Sequence, residues 1–129
     1  MSGSEQEELT KSLEDYIETI YLISRDKSEV RVSDIAAKLK VAKSSVHIAL
    51  HSLADKNYVT HKKYGAVYLT KQGLSAAGKI YERHIQLKAF FASILGLDAE
   101  TAESDACAAE HVLSGAAVKA MTELVNKNL

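Results

Sequence analysis

The chain has 129 residues, a formal net charge of −1 and a hydrophobic content of 47%. These values are typical of one ordinary globular domain, or of two small domains that share a core. No stretch has the apolar length of a signal peptide or a membrane span, so we expect a cytoplasmic protein with a flexible N-terminus at residues 1–8. The single cysteine, Cys107, cannot form an internal disulfide, which fits a reducing compartment.

Charge is unevenly distributed along the chain. Between residues 38 and 71 the only acid is Asp55, whereas the basic residues there are Lys38, Lys40, Lys43, Lys56, Lys62, Lys63 and Lys71. A basic middle of this kind is either an ordinary solvated surface or a surface that faces phosphate.

Apolar residues at helical spacing predict a first helix over residues 9–24. Asp15 and Glu18 lie three residues apart on it, away from the centre of the apolar stripe. Taken alone, such a pair is typical of a solvated helix surface.

Two short helices follow and predict a helix-turn-helix. Ser33 is a candidate N-cap for a helix that ends near residue 39, and a third helix begins at Lys43 or Ser44. The outer face of the third helix carries the candidate DNA-contacting residues Lys43, Ser44, Ser45, His47, Ile48 and His51.

This outer face has no Gln or Arg to make paired hydrogen bonds to a base. Ile48 can touch a thymine methyl but donates no hydrogen bond. Ser44 and Ser45 are expected to cap the helix and contact phosphate, so DNA binding would depend on backbone contacts and DNA shape.

β-favouring runs at residues 58–63 and 66–70, joined at positions 64 and 65, predict a hairpin. A helix-turn-helix followed directly by a hairpin is a winged helix, and its wing tip would present Lys62, Lys63 and Tyr64. This DNA-binding unit is expected to span residues 9–70, followed by a helical unit at 71–129.

Thr70 can cap a long fourth helix that ends near residue 95. His84 lies within its apolar seam, where a lone histidine is usually a hydrogen-bonded core residue.

The next helix carries Cys107, Glu110 and His111 on one face, with Glu103 one turn earlier. Sulfur, oxygen and nitrogen donors together suit a first-row transition metal better than calcium or magnesium. The alternative is an exposed polar face that includes a cysteine by chance.

Taken in order, these blocks resemble the diphtheria toxin repressor and manganese transport regulator family of metal-dependent transcription factors. The similarity is to the short form, which lacks an additional C-terminal domain. It is carried by LEDYIETIY at 13–21, VSDIA at 32–36, LTKQG at 69–73, RH at 83–84, LGLD at 95–98 and ACAAEHVLS at 106–114.

The resemblance implies six metal ligands, which are Asp15, Glu18, His84, Cys107, Glu110 and His111. The set is a hybrid, because Asp15 matches the manganese regulators and Cys107 matches the iron regulators. Two carboxylates favour Mn²⁺ or Fe²⁺, and the thiolate shifts preference toward Fe²⁺, Co²⁺ or Zn²⁺. Lys88 stands where iron regulators place an acid of a second site, so a second site of that kind is not expected, although a binuclear cluster remains open.

The resemblance also implies a mainly α fold with a small β-hairpin, in which a winged helix precedes a helical metal-binding and dimerisation domain. The expected function is a homodimeric repressor of metal-uptake genes that binds a double-stranded DNA operator when a metal bridges the two domains. The alternative is a winged-helix regulator that metal does not control. No phosphate loop, nucleophile elbow or zinc-protease motif is present, so neither catalytic residues nor an organic substrate are expected.

Overall fold

The computed structural model describes residues 9–62 and 65–129, and these confirm the mainly α fold with a small hairpin. Two compact units are present, one ending at Ala77 and the other spanning Gly78–Leu129. The elements in chain order are α1 (Lys11–Asp26), α2 (Val32–Leu39), α3 (Lys43–Asp55), β1 (Val59–His61), β2 (Val67–Leu69), α4 (Lys71–Ser93), α5 (Ala99–Ala109) and α6 (Gly115–Lys127).

The first unit contains the predicted helix-turn-helix. Helix α2 ends at Leu39 and is followed by its C-cap Lys40, which adopts the left-handed conformation with φ 59° and so turns the chain toward α3. The apolar faces of the first three helices supply a common set of buried side chains, which includes Ile17, Ile20, Ile35, Val46, Leu50 and Leu53. Burial of one face of α3 fixes which of its residues remain outside.

The starts of α2 and α3 differ from the prediction. Ser33 is not the N-cap of α2, because the helix begins at Val32 and the Asp34 carboxylate accepts the backbone N–H of Arg31 at 2.9 Å. The hydrogen bond from Lys27 is the main cause that lowers the pKa of Asp34 below its usual value. Helix α3 has Ala42 as its N-cap, so Ser44 and Ser45 lie inside its first turn and do not cap it.

The wing is the predicted antiparallel hairpin, in which Val59 pairs with Leu69 and His61 with Val67. A further backbone pairing was not predicted: the N–H of Val67 donates to the carbonyl of Val30 at 2.7 Å. This single bridge joins the hairpin to the segment between α1 and α2. It is too short to leave a periodic signal in the sequence.

The second unit buries Leu87, Ala106 and Val118 as a small core. Asp98 and Ser114 cap α5 and α6 through their side chains. Gly96 takes a left-handed φ of 71° between α4 and α5, a conformation that glycine adopts without strain. Across residues 9–62 and 65–129, no helix combines the length and apolar character needed to cross a membrane.

The start of α4 is held against the loop before the wing. The Thr70 hydroxyl accepts the N–H of Gly73 at 3.0 Å and donates to the carbonyl of Asn57 at 2.7 Å. A Cβ at Gly73 would lie 2.0 Å from the carbonyl oxygen of Tyr58, a backbone atom that cannot simply rotate away. Glycine is therefore required at this position for close approach.

We expect Gly73→Ala to destabilise the protein by about 1–3 kcal/mol, because the added methyl forces two backbone segments apart. Gly78→Ala on the same helix is the matched control, since a Cβ there meets nothing within 4 Å. The control should be neutral or stabilise by about 0.5–1 kcal/mol through helix propensity. Urea denaturation followed by far-ultraviolet circular dichroism measures both, and equal effects would contradict the packing argument.

Candidate metal centre and nucleic-acid interface

The second unit brings together three of the predicted donors. His84 comes from α4, Cys107 from the last turn of α5, and Glu110 from the residue that caps α5. Helix α5 ends at Ala109, but Glu110 keeps helical dihedrals of φ −60° and ψ −23°, so it continues the helical spacing from Cys107. One ligand atom from each of the three residues lies within 4.8 Å of the others.

Glu110 is at the centre of this cluster and is fully buried, with 0% exposure. One carboxylate oxygen lies 2.5 Å from Nδ1 of His84, and the other lies 3.3 Å from Nε2 of His111. The guanidinium of Arg83 donates to the backbone carbonyl of Glu110 at 2.7 Å. Two residues of α4 thus contact the end of α5: His84 lies beside the side chain of Glu110, and Arg83 donates to its main-chain carbonyl.

The donor set fits a transition metal. Burial of a carboxylate is costly unless a cation or hydrogen-bond donors compensate it. Here the carboxylate shares a site with an imidazole and with a cysteine whose thiolate would be a soft ligand. Calcium and magnesium prefer all-oxygen ligands, so this mixture matches Mn²⁺, Fe²⁺, Co²⁺ or Zn²⁺ better.

Glu103 is a site neighbour that was not among the predicted ligands. Its Oε2 lies 3.0 Å from Nε2 of His84, and its Oε1 lies 3.2 Å from Nζ of Lys88. Burial acts to raise the pKa of Glu103, but the hydrogen bonds from His84 and Lys88 outweigh it and hold the pKa below its usual value. The signal was present in the sequence, because Glu103 lies one helical turn before Cys107.

Asp15 and Glu18 belong to the first unit. Both lie on α1, three residues apart, and Glu18 is only 5% exposed. The assignment of this pair as metal ligands stays a prediction.

Helix α3 presents its predicted outer face to solvent. Ile48 is 73% exposed, so its apolar side chain is available for contact from outside. The ring of His47 stacks on that of His61 from the wing, with 5.9 Å between the ring centroids. The other exposed side chains of this face are those of Lys43, Ser44, Ser45 and His51.

A surface groove runs beside this helix. Among the described residues, those that line it are Arg31, Val32, Ser33, Lys43, His47, His61 and Gly65. Lys62 is exposed directly after β1, whereas Lys63 and Tyr64 lie outside the described residues. The lysines and histidines of this surface could meet a polyanion through charge and hydrogen bonds.

Comparisons with known proteins agree with this organisation. Residues 8–67 match the family model of the iron dependent repressor, N-terminal DNA binding domain. Residues 70–128 match that of the iron dependent repressor, metal binding and dimerisation domain.

Among individual relatives, the HTH-type transcriptional regulator MntR of Bacillus subtilis is 37% identical over 116 residues, which are 90% of this chain and 81% of MntR. The uncharacterised HTH-type transcriptional regulator MJ0568 of Methanocaldococcus jannaschii is 35% identical over 107 residues, covering 82% and 86% of the two chains. The structure of the manganese regulator SloR aligns with a TM-score of 0.75 and 27% identity over 93% of this chain, which spans only 55% of SloR.

The single cysteine allows a direct test of the centre. We expect Co²⁺ to produce a near-ultraviolet thiolate-to-metal charge-transfer band, and the Cys107→Ser variant to lose it, because Cys107 is the only thiol in the chain. Absorption spectroscopy during a Co²⁺ titration measures the band. Stoichiometric Co²⁺ binding by the unaltered protein without the band would show that Cys107 is not a ligand.

Proposed function

Since this chain belongs to the family of iron-dependent repressors, which are metal-dependent DNA-binding transcriptional regulators, we propose that it is a homodimeric repressor of metal-uptake genes in the cytoplasm. It binds a double-stranded operator when loaded with Mn²⁺ or Fe²⁺. Zn²⁺ and Co²⁺ are substitutes expected in vitro. The observation that carries the proposal is the convergence of His84, Cys107 and Glu110 within the region that matches the metal-binding domain.

The metal would be held by donors from both parts of the chain. In this proposal His84, Cys107, Glu110 and His111 supply ligands from the second unit, and Asp15 and Glu18 supply two carboxylates from α1. Two carboxylates add negative charge that a dication neutralises, so binding favours the arrangement in which all the donors converge. The bound metal supplies this electrostatic link and takes no part in a reaction.

The link would affect DNA binding through geometry. A dimeric helix-turn-helix protein needs its two recognition helices about one helical turn of DNA apart, or a multiple of that spacing. A metal that restricts the orientation of the DNA-binding unit would increase the population of the binding-competent state. Helix α3 would enter the major groove, and the lysines of the wing would contact the backbone.

The identity of the relatives and the proposed ligand set both favour regulation over catalysis. The relatives named above are transcriptional regulators. In addition, the proposed ligands are all protein side chains, which leaves few coordination positions for a substrate. The other candidate function is a winged-helix regulator that metal does not control. The next experiment distinguishes the metal-dependent from the metal-independent regulator.

We expect binding to a fluorescent DNA fragment from upstream of this gene to appear with micromolar Mn²⁺ or anaerobic Fe²⁺ and to disappear with chelator. Fluorescence anisotropy measures it. The nearly isosteric variant Glu110→Gln should lose the metal response while keeping its helical circular dichroism, because it removes the buried charge that the metal neutralises. Glu100→Gln, on an exposed part of α5, is the control that should respond normally. Equal DNA affinity with metal and with chelator would favour the metal-independent regulator.

The exposed Ile48 gives a second prediction about the DNA. If its side chain contacts a thymine methyl, replacing thymine with uracil throughout the fragment should weaken binding by about fourfold for each methyl that Ile48 contacts, since burying one such group contributes about 0.8 kcal/mol. Uracil keeps the hydrogen-bonding edge of thymine. Amplification with dUTP in place of dTTP prepares the substituted fragment.

The variant Ile48→Ala should discriminate less between the two fragments, because its shorter side chain buries less of the methyl. Leu74→Ala, which shortens an exposed apolar side chain on α4, should discriminate between them as the unaltered protein does. An identical ratio for the unaltered protein and for Ile48→Ala would show that Ile48 does not read the methyl.

A further inference from the structure

The imidazole of His84 is held on both sides by carboxylates. Its Nδ1 lies 2.5 Å from Oε1 of Glu110, and its Nε2 lies 3.0 Å from Oε2 of Glu103. Its side chain is 7% exposed, so water has little access to either nitrogen. The two ring nitrogens therefore have distinct neighbours, Glu110 at Nδ1 and Glu103 at Nε2.

If His84 binds a metal, its two ring nitrogens must differ in protonation. A histidine binds a metal through a nitrogen that carries no proton, and the proton then resides on the other nitrogen. Histidine ligands usually donate that second N–H to a carboxylate or a carbonyl, which fixes both the tautomer and the ring orientation. Glu103 stands where such an acceptor is needed, and Glu110 marks the side on which the metal would bind.

Glu103 is itself held in place. Its second oxygen, Oε1, lies 3.2 Å from Nζ of Lys88, one turn after His84 on α4. The side chains of Lys88 and Glu103 are 40% and 52% exposed, so this ion pair contributes little to folding stability. Its effect is instead local, since the ammonium restrains the carboxylate that faces the histidine.

We propose that Glu103 is a positioning residue of the metal centre, which accepts the Nε2–H of His84 and so directs Nδ1 toward the metal, with Lys88 anchoring the Glu103 carboxylate. This inference rests on the proposed function in that His84 is taken as a ligand. It extends the centre by two residues that make no bond to the metal. The chain Lys88, Glu103, His84 then links an exposed surface of α4 and α5 to the buried Glu110.

Three variants test the role of Glu103. Glu103→Ala removes the acceptor and should weaken Zn²⁺ binding by about 10- to 100-fold, the usual cost of losing such a partner. Glu103→Gln keeps an oxygen that can accept the Nε2–H and should recover most of the affinity. Glu100→Gln, on the exposed start of the same helix, should bind as the unaltered protein does. Competition with a chromogenic chelator measures all three on the full chain.

A spectroscopic readout separates positioning from a merely structural role. Nitrogen-15 NMR of the Zn²⁺-loaded protein should show His84 bound through Nδ1 and protonated at Nε2. Zinc bound through Nε2, unchanged affinity in Glu103→Ala, or a loss that Glu103→Gln fails to recover would each overturn the inference. Failure of the unaltered protein to bind Zn²⁺ at all would instead overturn the proposed function, so the two failures are distinguishable.

Discussion

A buried carboxylate imposes the main constraint on the second unit. Glu110 is fully enclosed, and a charge in such a place is tolerated only with close compensation. The chain provides it from two directions, with His84 at 2.5 Å and His111 at 3.3 Å, while Arg83 binds the main-chain carbonyl of the same residue. The packing of α4 against the end of α5 therefore brings a carboxylate and imidazole nitrogens together, and these are groups that a dication can bind.

The small core of the second unit explains why the donors meet there. Leu87 and Ala106 are both buried in it, and each lies close in sequence to a donor, His84 on α4 and Cys107 on α5. Ala106 allows α4 and α5 to approach closely, because its side chain has no atom beyond Cβ. Apolar packing thus sets the separation at which the polar groups can share one ion.

In the first unit, the same division between a buried and an exposed face determines what DNA would encounter. Val46, Ala49, Leu50 and Leu53 are buried, so the polar residues of α3 and Ile48 must point outward. The outer face has short hydroxyls, histidines and one apolar side chain, and lacks the long amide or guanidinium groups that read bases in pairs. An operator recognised by this helix would depend on methyl contacts, phosphates and shape more than on paired hydrogen bonds.

The amino-acid sequence alone determined the elements whose signals are local. Helical and alternating apolar spacing predicted the helix-turn-helix, the hairpin and the long α4, and the three-residue spacing predicted that Cys107 and Glu110 lie together. His111 was predicted on the same helix face, but α5 ends at Ala109 and His111 lies in the turn that follows. Only the tertiary structure decided which distant groups meet: Glu103 with His84, Arg83 with the carbonyl of Glu110, and Val30 with Val67. Those contacts join residues far apart in the chain, and their distances follow from how the elements pack, which periodicity does not encode. The predicted N-cap of α2, Ser33, was also wrong: the helix begins earlier, with Arg31 as the N-cap residue and the Asp34 carboxylate accepting the backbone N–H of Arg31.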